Sequence, residues 1–167
     1  MVRVRAAGFL GLALLAVGCS ADRIERGVFH SSKGYRVSLP PPSWGIVRGG
    51  KVDLELRRAT PRGGMLADAT CEGRTPRRPL GVLARHLTFG LTDRETVEDG
   101  AVFLGGLPGV RTVVRGSLDG TEVSVEMVVL KGGQCVYDFL YVAPVDDFPS
   151  GRPDFRALVE SFSGGAR

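Results

Sequence analysis

From Tyr35 onward, apolar and polar positions alternate in short runs. Tyr35, Val37 and Leu39 are separated by Arg36 and Ser38, the period of a half-buried strand, and Pro40-Pro41-Pro42 ends the run. Val52, Leu54 and Leu56 against Asp53, Glu55 and Arg57 repeat the pattern. Met65 to Cys71 carries a third run, in which Leu66 interrupts the alternation. The period then changes. Between Pro79 and Leu91, the residues Leu80, Leu83, Ala84, Leu87 and Leu91 fall on one face of a helix, and Pro79 suits a first helical turn.

Beyond that helix, Glu95 to Val97, Ala101 to Leu104 and Val110 to Gly116 read as strands separated by Gly and Pro. Asp119-Gly120 marks a turn. Val123, Val125, Met127 and Val129 then alternate with Glu122, Ser124 and Glu126. Lys131-Gly132-Gly133 turns the chain into Cys135 to Val142, where Tyr137, Phe139 and Tyr141 share a face. This predicts a long antiparallel hairpin. Pro153 opens a second helix, with Phe155, Leu158, Val159 and Phe162 at helical spacing, and Gly164-Gly165 ends it. Helices segregated on a mainly antiparallel sheet make an α+β domain.

The first residues follow another logic. Met1 to Arg5 is short and basic, Ala6 to Val17 is apolar without charge or proline, and Gly18 precedes Cys19 and Ser20. This is the tripartite pattern of an export signal, too short to span a bilayer as a helix of about 20 residues. The stretch Leu15-Ala16-Val17-Gly18-Cys19 resembles the lipobox of bacterial lipoproteins, with Ala16 where leucine is usual. That resemblance implies cleavage before Cys19 and acylation of its sulfur and new amine. Two or three acyl chains hold a protein on a membrane where one binds only marginally. Ser20 after the cysteine resembles the signal for the outer membrane. The expected organisation is a signal peptide over residues 1–18, a lipidated N-terminus and polar tether over 19–33, one globular domain over 34–163, and a tail over 164–167.

Composition narrows the function. The chain has 167 residues with a formal charge of +4, from 22 basic and 18 acidic side chains. Losing Arg3 and Arg5 with the leader leaves 20 against 18, about +2, a weak steering field. Nearly all the basic residues are arginines scattered among carboxylates, and aromatics make up 7%. Nucleic-acid binders cluster their charge on one face, so no nucleic-acid partner is expected.

The strand Tyr35-x-Val37-x-Leu39-Pro40 followed by Trp44, together with a closing helix from Phe155 to Ser161-Phe162, resembles the Mog1/PsbP-like domain. The resemblance covers Phe29 to Phe162. It implies an α/β/α sandwich, an antiparallel sheet with helices on both faces, and no enzyme. Members serve as assembly or stabilising subunits, as transport regulators and as bacterial lipoproteins, which implies a protein-binding module.

With Cys19 lipidated, Cys71 and Cys135 remain as an even pair in an oxidising compartment, which favours a disulfide over two buried thiols. A thiol hydrolase or redox enzyme using Cys71 or Cys135 with His86 is the rival reading, although no motif surrounds either cysteine. A small-molecule or lipid carrier is a third, for which an apolar pocket between sheet and helix would be diagnostic. No metal site and no cofactor are expected: His30 and His86 are the sole histidines, and Asp146-Asp147 reads as a solvated loop. Gly49-Gly50, Gly105-Gly106 and Gly132-Gly133 lie between strands and read as turns. Arg74, Arg77 and Arg78 form the one local basic cluster, a candidate partner surface. Trp44 is expected beneath the proline turn. The expected protein is a non-catalytic lipoprotein of the bacterial envelope, membrane-bound through its N-terminal lipid, facing the periplasm from the outer membrane, and bound to an envelope protein partner.

Overall fold

The structure, a computed structural model, describes residues 21–72 and 78–164. Cys19, Arg74 and Arg77 lie outside the described residues. Among the described residues, ten strands and two helices are arranged as a seven-stranded sheet, a small three-stranded sheet and one helix on each face of the large sheet. Every strand pairing is antiparallel. The expected α+β fold with helices on both faces is therefore the observed one.

The small sheet consists of β1 (Arg23–Glu25), β2 (Val28–His30) and β3 (Arg36–Ser38) in that order. It corrects the expected tether. Phe29 of β2 is 3% exposed and lies in the core, so the folded unit reaches back well before Gly34. The signal is weak in sequence because each of these strands is only three residues long and β1 is wholly exposed.

The large sheet runs β4 (Gly45–Val47), β5 (Leu54–Arg58), β6 (Gly63–Cys71), β10 (Cys135–Pro144), β9 (Thr121–Gly132), β8 (Leu107–Leu118) and β7 (Thr92–Leu104). Two expected strands, Glu95–Val97 and Ala101–Leu104, are joined in the continuous β7. Register shifts between Thr92 and Glu95 and between Thr96 and Glu98 absorb the irregular stretch, as bulges do at a sheet edge. The interrupting Leu66 also has a physical reason. Met65, Ala67 and Ala69 face one side of β6, and Leu66 faces the other, where the sheet is apolar as well.

Helix α1 (Leu80–His86) is shorter than the expected Pro79 to Leu91. Its end tightens through Leu87 N–H to Ala84 O and Thr88 N–H to Arg85 O, and Gly90 at φ 103° turns the chain into β7. Leu91 still packs with Leu80, Leu83, Ala84 and Leu87 against Val114, Val125, Met127 and Val129 of the sheet. The apolar stripe thus identifies the buried side but not the helix end.

Helix α2 (Phe148–Glu160) begins earlier than Pro153 and ends before Phe162. Pro149 occupies its first turn and Pro153 lies inside it. The early start brings Phe148 onto the ring of Tyr141, 5.1 Å between centroids, while the Tyr141 hydroxyl donates to Phe148 O at 3.0 Å. Gly151 makes this approach possible: a Cβ there would stand 2.4 Å from the Tyr141 hydroxyl oxygen. Phe155, Leu158 and Val159 are buried against Phe139, Leu56 and Met65 in the principal core, which lies between α2, the small sheet and the large sheet. Phe162, past the helix, packs on Tyr137 at 4.9 Å and Phe139 at 5.6 Å, and Ser163 bridges to Arg36 of β3.

Candidate functional site

Alternation along β9 places Glu126 on the side opposite Val125 and Met127, and in a one-sided sheet that side would meet water. Here α2 covers it. Glu126 is 0% exposed and is met by three guanidinium groups: Arg152 Nε at 2.6 Å, Arg156 Nε at 3.2 Å and Arg111 Nε at 3.6 Å. Arg152 also bonds Glu98 of β7 and holds that carboxyl below its usual range, with the nearby Arg156 and Arg111 adding to the effect. A buried charge is tolerated when it is paired on all sides, so this cluster clamps α2 to β7, β8 and β9. Its groups are engaged with one another, which makes it a structural latch.

A second polar joint lies at the other end of the sheet. Trp44 is buried with its ring edge against Tyr141, Arg58 stacks over the indole at 4.4 Å, and Trp44 Nε1 donates to Asp154 Oδ2 at 2.9 Å. Arg58 also donates to Pro61 O and pairs with Asp154 at 3.4 Å. Trp44 therefore ties β4 to α2 as a core residue, close to its expected place beneath the prolines, where its N–H bonds Pro41 O.

The face of the sheet that carries α1 is covered only in part. Over β8 and β9 the helix shields Val114, Val125 and Met127. Toward β10, β6 and β5 the sheet is open, and a groove of about 460 Å³ is floored by Leu66, Leu140, Val142, Val123 and Leu118 and bordered by the Glu55–Arg57 ion pair. Leu118 is 39% exposed. Further along the same strands, Asp68 of β6 stands directly opposite Asp138 of β10. Asp68 pairs with Lys33 Nζ at 2.9 Å, and Lys33 also holds Asp53 at 2.6 Å. Asp138 Oδ1 is buried and has no hydrogen-bond partner among the described residues. Burial, and secondarily the charge of Asp68, push the Asp138 carboxyl up to about 6. An apolar floor of this size, with a carboxyl held above its usual range further along the same strands, is the most site-like surface among the described residues.

Cys71 and Cys135 stand opposite each other on β6 and β10 and form a disulfide, with 4.1 Å between their Cα atoms. Neither is a free thiol. His86 is exposed on α1 and is not part of the groove. Of the arginine cluster, Arg78 is exposed and its carbonyl accepts from Lys131 Nζ at 3.4 Å; Arg74 and Arg77 lie outside the described residues. Asp147 precedes α2 and accepts from the Arg62 backbone N–H at 3.2 Å, so the Asp146-Asp147 loop is tied to the β5–β6 turn. The sequence pattern does not single out the groove or its acidic pair. The signals present were the misplaced Leu66 and an Asp flanked by Tyr137 and Phe139.

No family model matches the sequence, and no curated protein matches it closely enough to mark a relative. Solved structures share its architecture. The cyanobacterial PsbP protein (CyanoP) of Synechocystis superposes with a TM-score of 0.60 at 15% identity, over 94% of this chain and 98% of that one. LpqN of Mycobacterium tuberculosis, described as involved in cell envelope biogenesis, gives 0.61 at 14% identity, over 78% of this chain and 84% of that one. A protein of Bacteroides thetaiotaomicron gives 0.60 at 10% identity over 83% of this chain, which spans about half, 48%, of that protein's length. At these identities the likeness is one of fold, and the fold of this chain is PsbP-like.

Proposed function

We propose that this protein is a non-catalytic lipoprotein of the bacterial envelope, anchored through lipid on Cys19, whose domain binds a protein partner and helps assemble or stabilise a complex. The observation that carries the binding role is the open apolar groove beside α1, floored by Leu66, Leu140, Val142, Val123 and Leu118. Water-facing apolar floors of this kind mark interaction sites. Asp138 lies two residues along β10 from Leu140 on the same face of the sheet, half-buried and with Oδ1 unpartnered among the described residues, so the surface fits a protein segment that carries apolar side chains and one basic residue. The leader pattern supports the anchor, and the shared fold with LpqN, an envelope biogenesis protein, supports the compartment. Among the described residues no helix is long and apolar enough to cross a membrane. The disulfide weakens the thiol-enzyme reading, because its nucleophile would have to be released first.

Photocrosslinking from Leu66 and Leu118 in the native cell tests the binding role, with exposed Glu160 on α2 as control. The expected result is a discrete envelope-protein adduct from the two groove positions that weakens with Asp138→Asn. Adducts with lipid alone would favour the carrier reading, and the absence of any groove-specific adduct would reject both.

A further inference from the structure

The two edges of the large sheet are treated differently. At one edge β4 is three residues long, which leaves few unpaired backbone groups. At the other, β7 runs for thirteen residues, and among the described residues nothing pairs with its outer side. Its first half is guarded. Asp93, Arg94, Glu95, Glu98 and Asp99 carry charge, Asp93 has φ 51°, and two register shifts break the ladder. Its second half, Gly100 to Leu104, is uncharged, has no proline and pairs with β8 in unbroken register. Phe103 in this stretch is 72% exposed. A regular, apolar, unguarded edge is a template for another strand.

We infer that this edge pairs with the same edge of a second copy of the chain, β7 antiparallel to β7, to make one continuous sheet across a two-fold axis. A two-fold axis normal to the sheet keeps the α1 faces on the same side and requires residues of equal parity to stand opposite each other. Centring the pair on Val102 sets Ala101 opposite Phe103 and Gly100 opposite Leu104, so each large side chain meets a small one. The pairing ends there, with Asp99 and Glu98 beyond it standing beside the Gly105-Gly106 turn of the other chain, so no carboxylates face each other. Centring on Ala101 would oppose Asp99 to Phe103. Centring on Phe103 would run the pairing onto Gly105, where φ is 56° and the strand has ended. The Val102 register alone uses the whole uncharged stretch.

Cysteine crosslinking of the full-length chain in native membranes tests both the contact and its register. Val102→Cys chains should form a disulfide-linked dimer on mild oxidation, since opposed Cα atoms in an antiparallel pair lie about 4.5–5.5 Å apart. Because Val102 packs partly on the core, a second pair of variants at exposed positions is decisive: coexpressed Ala101→Cys and Phe103→Cys chains should crosslink to each other in preference to themselves. Adding Phe103→Lys to the Val102→Cys chain should abolish its dimer and leave the chain folded, with an unchanged far-ultraviolet circular dichroism spectrum. Failure of all these crosslinks, an equal yield from Glu98→Cys, persistence of the dimer with Phe103→Lys, or capture of a different protein at these positions would overturn the inference.

Discussion

Glu126 shows where residue-level pattern and structure part. In sequence it alternates with Val125 and Met127 as a polar outer position, and a substitution there would be worth under about 0.5 kcal/mol. In the structure α2 lies over it and Arg111, Arg152 and Arg156 converge on its carboxylate. Glu126→Ala leaves those cations facing an empty, buried site, and we expect it to lower unfolding free energy in urea by about 3–5 kcal/mol. Arg156→Ala, which leaves two cations on Glu126, should cost less. Asp138 was equally hidden, since its burial depends on Asp68 and neighbouring strands far away in the chain. Its carboxyl is raised from 3.8 to about 6 by burial and by Asp68. Below about pH 4 it is protonated in both folded and unfolded chains. As pH rises toward 6, the unfolded chain gives up this proton before the folded one, so stability falls by roughly 2–3 kcal/mol. Asp138→Asn should remove that loss and exceed the wild type at pH 7 by a similar amount, read as the difference between the two proteins' urea midpoints across pH 4 to 7. The difference isolates Asp138 from Glu98, whose lowered pKa acts in the opposite direction.

At the scale of elements, periodicity locates the strands that pack on a deep core and both helix faces. It fails at ends and at edges. Pro153 looks like a helix start because proline is at home there, yet the stacking of Phe148 on Tyr141 recruits an extra turn before it. The strands β1, β2 and β4 are too short to show a period, and their place is fixed by partners such as Phe29 in the core. The closing helix should nevertheless behave as its stripe implies. Phe155 is 0% exposed, so Phe155→Ala should cost about 3–5 kcal/mol in urea unfolding. The disulfide joins strands brought together by the sheet across 64 positions of sequence, a proximity that the even cysteine count suggests but cannot locate. Thiol titration of the unfolded, unreduced protein should find neither Cys71 nor Cys135 reactive. Replacing both with serine should lower stability by about 4 kcal/mol, the chain-entropy value for a loop of this length.

For the whole molecule, the order of strands and helices made the two-faced α+β architecture legible, because an apolar stripe on each helix demands a sheet face to cover it. What lay beyond the pattern was how completely each face is covered: α2 and the small sheet close one side, whereas the short α1 leaves the other open at the groove. A domain with such a groove, borne by a lipid anchor, would meet its partner at a fixed height above the membrane. That arrangement depends on Cys19 and not on the fold. If the proposed anchor is right, removing the acyl chains would remove the methylenes that hold the protein to the bilayer, about 0.8 kcal/mol each, while the core contacts of the described residues stay in place. Cys19→Ala should therefore abolish incorporation of labelled palmitate and shift the protein out of the membrane fraction or leave it unprocessed, with the Cys71–Cys135 disulfide still formed. A wild-type chain that carries no label and is cleaved elsewhere than before Cys19 would refute the anchor and leave the groove as the property of a freely diffusing protein.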